Sequence, residues 1–210
     1  MIQILKNLSK SRLFWLFLGI KAFLFVVFSH FVLQNYLMLQ PCEQCVYIRY
    51  AFIILGFGCC IIAIYPRSLL GCFGVAICAY GITKGILSAL ILVKIQKALQ
   101  SETFVFGLKG CSLSPSFDFN LPLDIWFPSL FAPKGFCGID VPMLHETIKL
   151  SFLQEQLIDF YSDGWYLVPA LKFGSMAECS LFIFVCYSVG IIILFFAIFL
   201  QLLKGQIKFN

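Results

Sequence analysis

The sequence predicts an all-α integral membrane protein: a four-transmembrane-helix bundle with one long loop outside the bilayer. Three observations carry this reading. The 210 residues are 61% hydrophobic and only 12% charged, with 25 Phe. Soluble domains average about 45–50% apolar and about 25% charged residues. The mean hydropathy is +0.96. Four apolar stretches each reach the roughly 20 residues that a helix needs to cross a bilayer. These features exclude an ordinary soluble enzyme, a disordered chain and a coiled coil, and they fit a single membrane domain over residues 1–210. The net charge of +5 is no nucleic-acid footprint, because the basic residues form no cluster interleaved with aromatics.

The expected spans are residues 13–33, 46–65, 69–93 and 179–203, which leaves loops at 34–45 and 94–178. The first span follows basic residues, as a secretory signal does. It is too long for a typical signal core, and no small-residue cleavage site follows it, so it reads as a retained helix. Only Pro66, Arg67 and Ser68 separate the second and third spans, which therefore form a tight hairpin. The last span has its most apolar core at residues 191–196.

Charge sets the orientation. Lys6, Lys10 and Arg12 precede the first span, Arg67 lies in the hairpin, and Lys204 and Lys208 follow the last span. No acidic residue accompanies them. The segment 94–178 instead holds nine Asp or Glu and six Lys. Both termini and the hairpin are thus expected in the cytoplasm, and the other two loops on the opposite face. Within the long loop, residues 101–140 are rich in Pro, Gly, Ser and aromatics. Residues 142–161 read as an amphipathic helix, with start signals at Asp140 and Pro142 and a stop at Gly164. Its apolar stripe is Leu144, Ile148, Leu153, Leu157, Phe160 and Tyr161. Such a helix lies along the bilayer surface or packs on the end of the bundle.

The chain has 10 cysteines. Cys59, Cys60, Cys72, Cys78, Cys179 and Cys186 sit in apolar runs and read as small buried hydrophobes. Cys42, Cys45, Cys111 and Cys137 sit in polar sequence on the non-cytoplasmic side. Pro41 suits the entry to a helix, and Glu43 suits its first turn. Cys42 and Cys45 then lie at the N-terminus of the second span, where the helix dipole favours a thiolate, although Glu43 opposes it. Arg49 lies one turn below Cys45, just inside the membrane, where a charge needs a partner or a task unless it snorkels to the surface. Three readings of the four cysteines stand side by side. They are a zinc site, which the 26-residue spacing of the second pair disfavours; a structural staple across the loop; and a relay in which thiol–disulfide exchange carries two electrons between pairs towards a lipid-soluble quinone.

At these residues the chain resembles the DsbB family of bacterial inner-membrane disulfide oxidoreductases. The resemblance rests on Pro41-Cys42-x-x-Cys45-x-x-x-Arg49, on Cys111 and Cys137, and on Leu121-Pro122-Leu123-Asp124-x-Trp126-x-Pro128 between them. The wording PCEQCVYIR, the GWYLVP stretch at residues 164–169 and the longer segment at 140–165 are more similar to the DsbI branch. The resemblance implies a four-helix bundle in the bacterial inner membrane with a long periplasmic loop, and a protein-thiol:quinone oxidoreductase. Its quinone would be ubiquinone or menaquinone. Its partner would be a periplasmic thioredoxin-fold dithiol oxidase, DsbA- or DsbL-like. By position, Cys42 and Cys45 would be the quinone-coupled pair, and Cys111 and Cys137 the pair that oxidises the partner. Arg49 would bind the quinone, and Lys84 aligns with a basic position of the third helix, although interior helix–helix pairing accounts for it as well. The segment Lys94-Ile95-Gln96-Lys97 replaces a polar, His-containing part of the prototype's quinone wall. A quinone reductase of the vitamin-K-epoxide-reductase type and a non-enzymatic scaffold with a stapled loop are the alternatives. The former carries its CxxC late in the chain, whereas here it opens the second span.

Overall fold

The computed structural model describes residues 11–66, 68–100, 111–143 and 150–203. Four helices within it are long and apolar enough to cross a membrane. Helix α1, Arg12–Phe28, starts on Ser11, whose Oγ accepts from Phe14 N at 3.4 Å. Apart from Lys21, whose Nζ lies 4.7 Å from the centre of the Phe17 ring, it is apolar all round, so Leu13, Phe17 and Leu24 stay exposed where lipid replaces water. It widens into a π-helix at Ser29–Tyr36. Helix α2 runs Glu43–Ile64, α3 Leu69–Gln100 and the last span, α7, Met176–Leu203.

Helix α2 is the central element. It packs against α1 and α3, and α3 packs against α7. Phe52 of α2 stacks on Phe184 of α7, with ring centroids 4.2 Å apart. Gly85 of α3 makes room for this contact, because any side chain there would run into the Phe184 ring. The first and last spans touch lightly. Tyr187 Oη donates to Leu18 O at 2.9 Å, and above that bond the two helices leave a cleft.

The loop holds short elements: α4 at Leu123–Trp126, α5 at Pro128–Phe131 and α6 at Phe152–Phe160. A β-hairpin follows, in which β1 (Tyr166–Val168) pairs antiparallel with β2 (Phe173–Ser175) in the register Tyr166↔Ser175.

Several expectations need correcting. The third helix does not stop at residue 93 but continues to Gln100. Its periodicity survives the first lysines: Leu92 and Gln96 are buried while Lys94 and Lys97 face out. The amphipathic helix does not begin at Pro142. Ser151 is its extended N-cap, and residues 144–149, including His145, lie outside the described residues. The hairpin at 166–175 was not foreseen. Lys6, Lys10, Arg67, Lys204 and Lys208 also lie outside the described residues. Among the six apolar-run cysteines, Cys59 and Cys78 are buried, with sulfurs 3.7 Å apart. Cys72 and Cys186 are exposed on apolar helix surfaces.

Candidate redox site at one end of the bundle

Cys42 is the N-cap of α2, and its Sγ accepts from Cys45 N at 3.3 Å. One turn of helix places the two sulfurs 2.6 Å apart. Cys111 and Cys137 are joined in a disulfide with Cα atoms 5.6 Å apart. The Cys42 sulfur lies within 4.8 Å of both. The structure therefore brings all four predicted cysteines together, with Cys42 in the middle. Two of the three clustered sulfurs are joined to each other here, an arrangement suited to thiol–disulfide exchange.

Hydrogen bonding with the Cys45 sulfur and burial push the Cys42 thiol well above its ordinary range, and these outweigh the Cys45 backbone N–H.

The loop is anchored by residues that carry the sulfurs' neighbours. Ser112 N donates to Glu43 Oε2 at 2.7 Å, next to Cys111. Tyr47 Oη donates to Glu43 Oε1 at 3.0 Å and accepts from Ser116 N at 2.9 Å. Lys134 N and Gly135 N both donate to Pro41 O, at 2.9 and 3.0 Å. Gly135 is required there, since a Cβ would collide with Gln40 O. Phe117 packs edge-on against Tyr47, Tyr50 and Phe131. On the other side of Cys137, the Asp140 carboxylate accepts from Gln96 Nε2 at 2.7 Å. Burial pushes this carboxyl up to about 6, against the pull of the Gln96 bond.

Arg49 is 4% exposed, so it does not snorkel. Its Nη1 donates to Gln34 Oε1 at 2.7 Å and to Leu130 O at 3.3 Å. Its Nε donates to Ser29 Oγ at 2.9 Å, and Nη2 to Ser29 O at 3.3 Å. The physical reasons are visible in the backbone. Ser29 opens the π-helical turn, where its hydroxyl and carbonyl both face Arg49, and the four-residue α5 leaves the Leu130 carbonyl without a helical donor at its end. Gln34 is buried as well, and its Nε2 donates to Ser129 O at 3.0 Å. Sequence reasoning missed Ser29 and Gln34 as partners of Arg49, and it marked Glu43 as a first-turn residue without its role as the loop's anchor. The available signal was the polar run Ser29, His30 and Gln34 at the end of an apolar span.

Lys84 does not pair with another helix. Its Nζ meets Asp118 Oδ1 of the loop at 2.8 Å, with the lysine side chain 44% exposed.

Cys45 and Arg49 share the cleft between the first and last spans. It is a cavity of about 860 Å³. Its lining is apolar apart from Arg49, Glu178 and a few serines and cysteines. Its rim residues Leu24, Phe28 and Phe182 are exposed, so it opens sideways, towards lipid.

A four-span bundle with two adjoining cysteine pairs at one end defines a membrane thiol–disulfide protein. The sequence profile of the disulfide bond formation protein DsbB matches residues 11–196. A DsbI-type protein-disulfide oxidoreductase of Campylobacter fetus is 40% identical over 94% of this chain and 91% of its own. The protein-disulfide oxidoreductases DsbI of Escherichia coli O1:K1 and Salmonella typhimurium are each 35% identical. They cover 97% and 98% of this chain, and 94% and 93% of their own. The chain belongs to the DsbB family.

Proposed function

We propose that this multi-pass membrane protein is a protein-thiol:quinone oxidoreductase of the bacterial inner membrane, with both termini in the cytoplasm. It reoxidises a periplasmic thioredoxin-fold dithiol oxidase and passes the electrons to a membrane quinone. The observation that carries this reading is the position of Cys42. Its sulfur adjoins the loop disulfide on one side and Cys45 on the other, and Cys45 reaches the lipid-facing cavity.

The exchange balances as follows. A partner thiolate attacks Cys111, the less buried sulfur of the loop pair, and Cys137 leaves. The partner's second thiol completes its disulfide, so Cys111 and Cys137 hold two electrons and two protons. One of them then attacks Cys42 of an oxidised Cys42–Cys45 pair, and Cys45 leaves as a thiolate. Closing the Cys111–Cys137 bond returns Cys42 as a thiol. Arg49, held rigidly one turn below, stabilises negative charge on Cys45 and on an acceptor oxygen beside it.

The residues present fit a quinone. The cavity walls suit an apolar ring and tail, and Arg49 supplies a cationic donor for a carbonyl. A bound quinone would supply the sink for two electrons and two protons as Cys42 and Cys45 rejoin.

The test uses full-length protein in nanodiscs, a reduced thioredoxin-fold oxidase and decylubiquinone without oxygen. One quinone should be reduced for each partner disulfide formed. Partner oxidation without quinone reduction would overturn the proposal.

A further inference from the structure

The wall of the cavity is unusual in its source. Past Leu92, the third helix contributes nothing to it. Its loop-side lining comes instead from the hairpin region: Trp165, Leu167, Phe173 and Gly174. This region is fixed at both ends. Trp165 N donates to Asp140 O at 3.0 Å. The Trp165 ring stacks near Tyr161, at 6.3 Å and 22°, and packs on Leu33, Leu37 and Leu39. At the other end, Ser175 and Glu178 form a reciprocal capping box at the start of α7. Ser175 N donates to Glu178 Oε2 at 3.2 Å, and Glu178 N to Ser175 Oγ at 3.3 Å. Cys179 Sγ donates to Gly174 O at 3.4 Å.

The hairpin is thus bolted to the last span and to the segment that carries Cys137. It lines the loop end of the cavity, with Leu167 and Phe173 turning one side to the cavity and leaving 62% and 65% of their surface exposed, while Leu24, Phe28 and Phe182 line the cavity along the spans. Cys45 behind it is 8% exposed.

We infer that the Trp165–Ser175 hairpin is a fixed seal between the cavity and water. It restricts Cys45 to acceptors that arrive through the lipid, and Trp165 and Phe173 are specificity-determining residues for them. The chemistry gives the reason for a seal. A reduced Cys42–Cys45 pair open to water would exchange with any soluble disulfide, and its electrons would leave by the wrong route. The inference rests on the quinone reading above and adds the wall that selects the acceptor.

The experiment compares full-length wild type with Trp165→Ala, Phe173→Ser and the conservative Trp165→Phe. Phe173 is 65% exposed, so its truncation leaves the helix core intact. The first readout is alkylation of Cys45 by a charged, membrane-impermeant maleimide in fully reduced protein, followed by peptide mass. Cys45 should react about tenfold faster in Trp165→Ala and Phe173→Ser, with Cys111 unchanged and Trp165→Phe close to wild type. The second readout is decylubiquinone turnover, where KM should rise about five- to tenfold with kcat within about twofold. Wild-type alkylation and KM in both truncations would overturn the seal. A wild-type protein that never reduces decylubiquinone would overturn the quinone reading instead, and the alkylation rates would still decide the seal.

Discussion

Residues 111–143 meet the bundle through a set of polar bonds around the cysteines together with the Phe117 cluster, whereas residues 150–175 meet it through fewer polar bonds, such as Gln154 Nε2 to Tyr36 O at 2.8 Å, and more through apolar packing. The first half is pinned through Ser112 and Ser116 to Glu43 and Tyr47, through Lys134 and Gly135 to Pro41, and through Leu130 to Arg49. The second half has Trp165 among leucines and a hairpin over the cavity. The difference follows from what each half must do. Directional bonds fix a sulfur to within the reach of thiol exchange. Apolar contact keeps water away from a site that serves a lipid-borne acceptor.

The largest effect expected on breaking the polar half comes from its sulfurs. Cys111→Ser or Cys45→Ser should abolish turnover, because each pair needs both sulfurs to carry two electrons. Cys72→Ser, on an apolar surface, should keep it. Partner thiol loss read by a maleimide gel shift checks both.

Arg49 joins the two halves' work. Arg49→Ala should raise the KM for decylubiquinone about ten- to a hundredfold, since a hydrogen bond from a charged donor contributes about 1.5–3 kcal/mol. Arg49→Lys should be milder, and Gln34→Leu milder still. Single-turnover oxidation of the partner should persist in all three. An unchanged KM in Arg49→Ala would return this residue to a structural role.

Glu43→Ala removes the acceptor for Ser112 N and Tyr47 Oη. Exchange between Cys111–Cys137 and the Cys42 pair should slow about three- to tenfold while quinone KM holds, as expected for positioning alone. Rapid-quench thiol trapping would measure this.

A smaller effect concerns pH. Asp140 titrates near about 6 in the folded protein, above its ordinary carboxylate range, because burial disfavours its charge. Its contribution to stability is therefore full in acid and lost as pH rises through about 6. Thermal unfolding from pH 4 to 8 should show wild type losing stability relative to Asp140→Asn. Parallel curves would place Asp140 in a wetter site. Smallest of all, Lys84→Met breaks a half-exposed ion pair and should cost about 0–1 kcal/mol in denaturant melts.

Much of the site was legible in the chain. The spacing of Cys42, Cys45 and Arg49 is helical, so a single local element already placed them on one face of a span. The four spans were legible because a bilayer demands a length and a composition, and both are local properties. The ends of α3 and α6 were less so. Charge at Lys94 resembled a helix stop although the buried face ran on, and Pro142 resembled a helix start that the chain does not use.

What the sequence alone determined is therefore a four-helix membrane chain, the CxxC at a helix N-terminus and the four cysteines set apart from the other six. Only tertiary structure decided that Cys42 stands between the two pairs, that Ser29, Gln34 and the α5 carbonyls hold Arg49, and that the hairpin walls the cavity. These depend on contacts between residues far apart in the chain, such as Gln34 and Ser129, which are 95 residues apart. No local propensity encodes such pairings, because they arise only when loop and bundle must satisfy each other's buried polar groups.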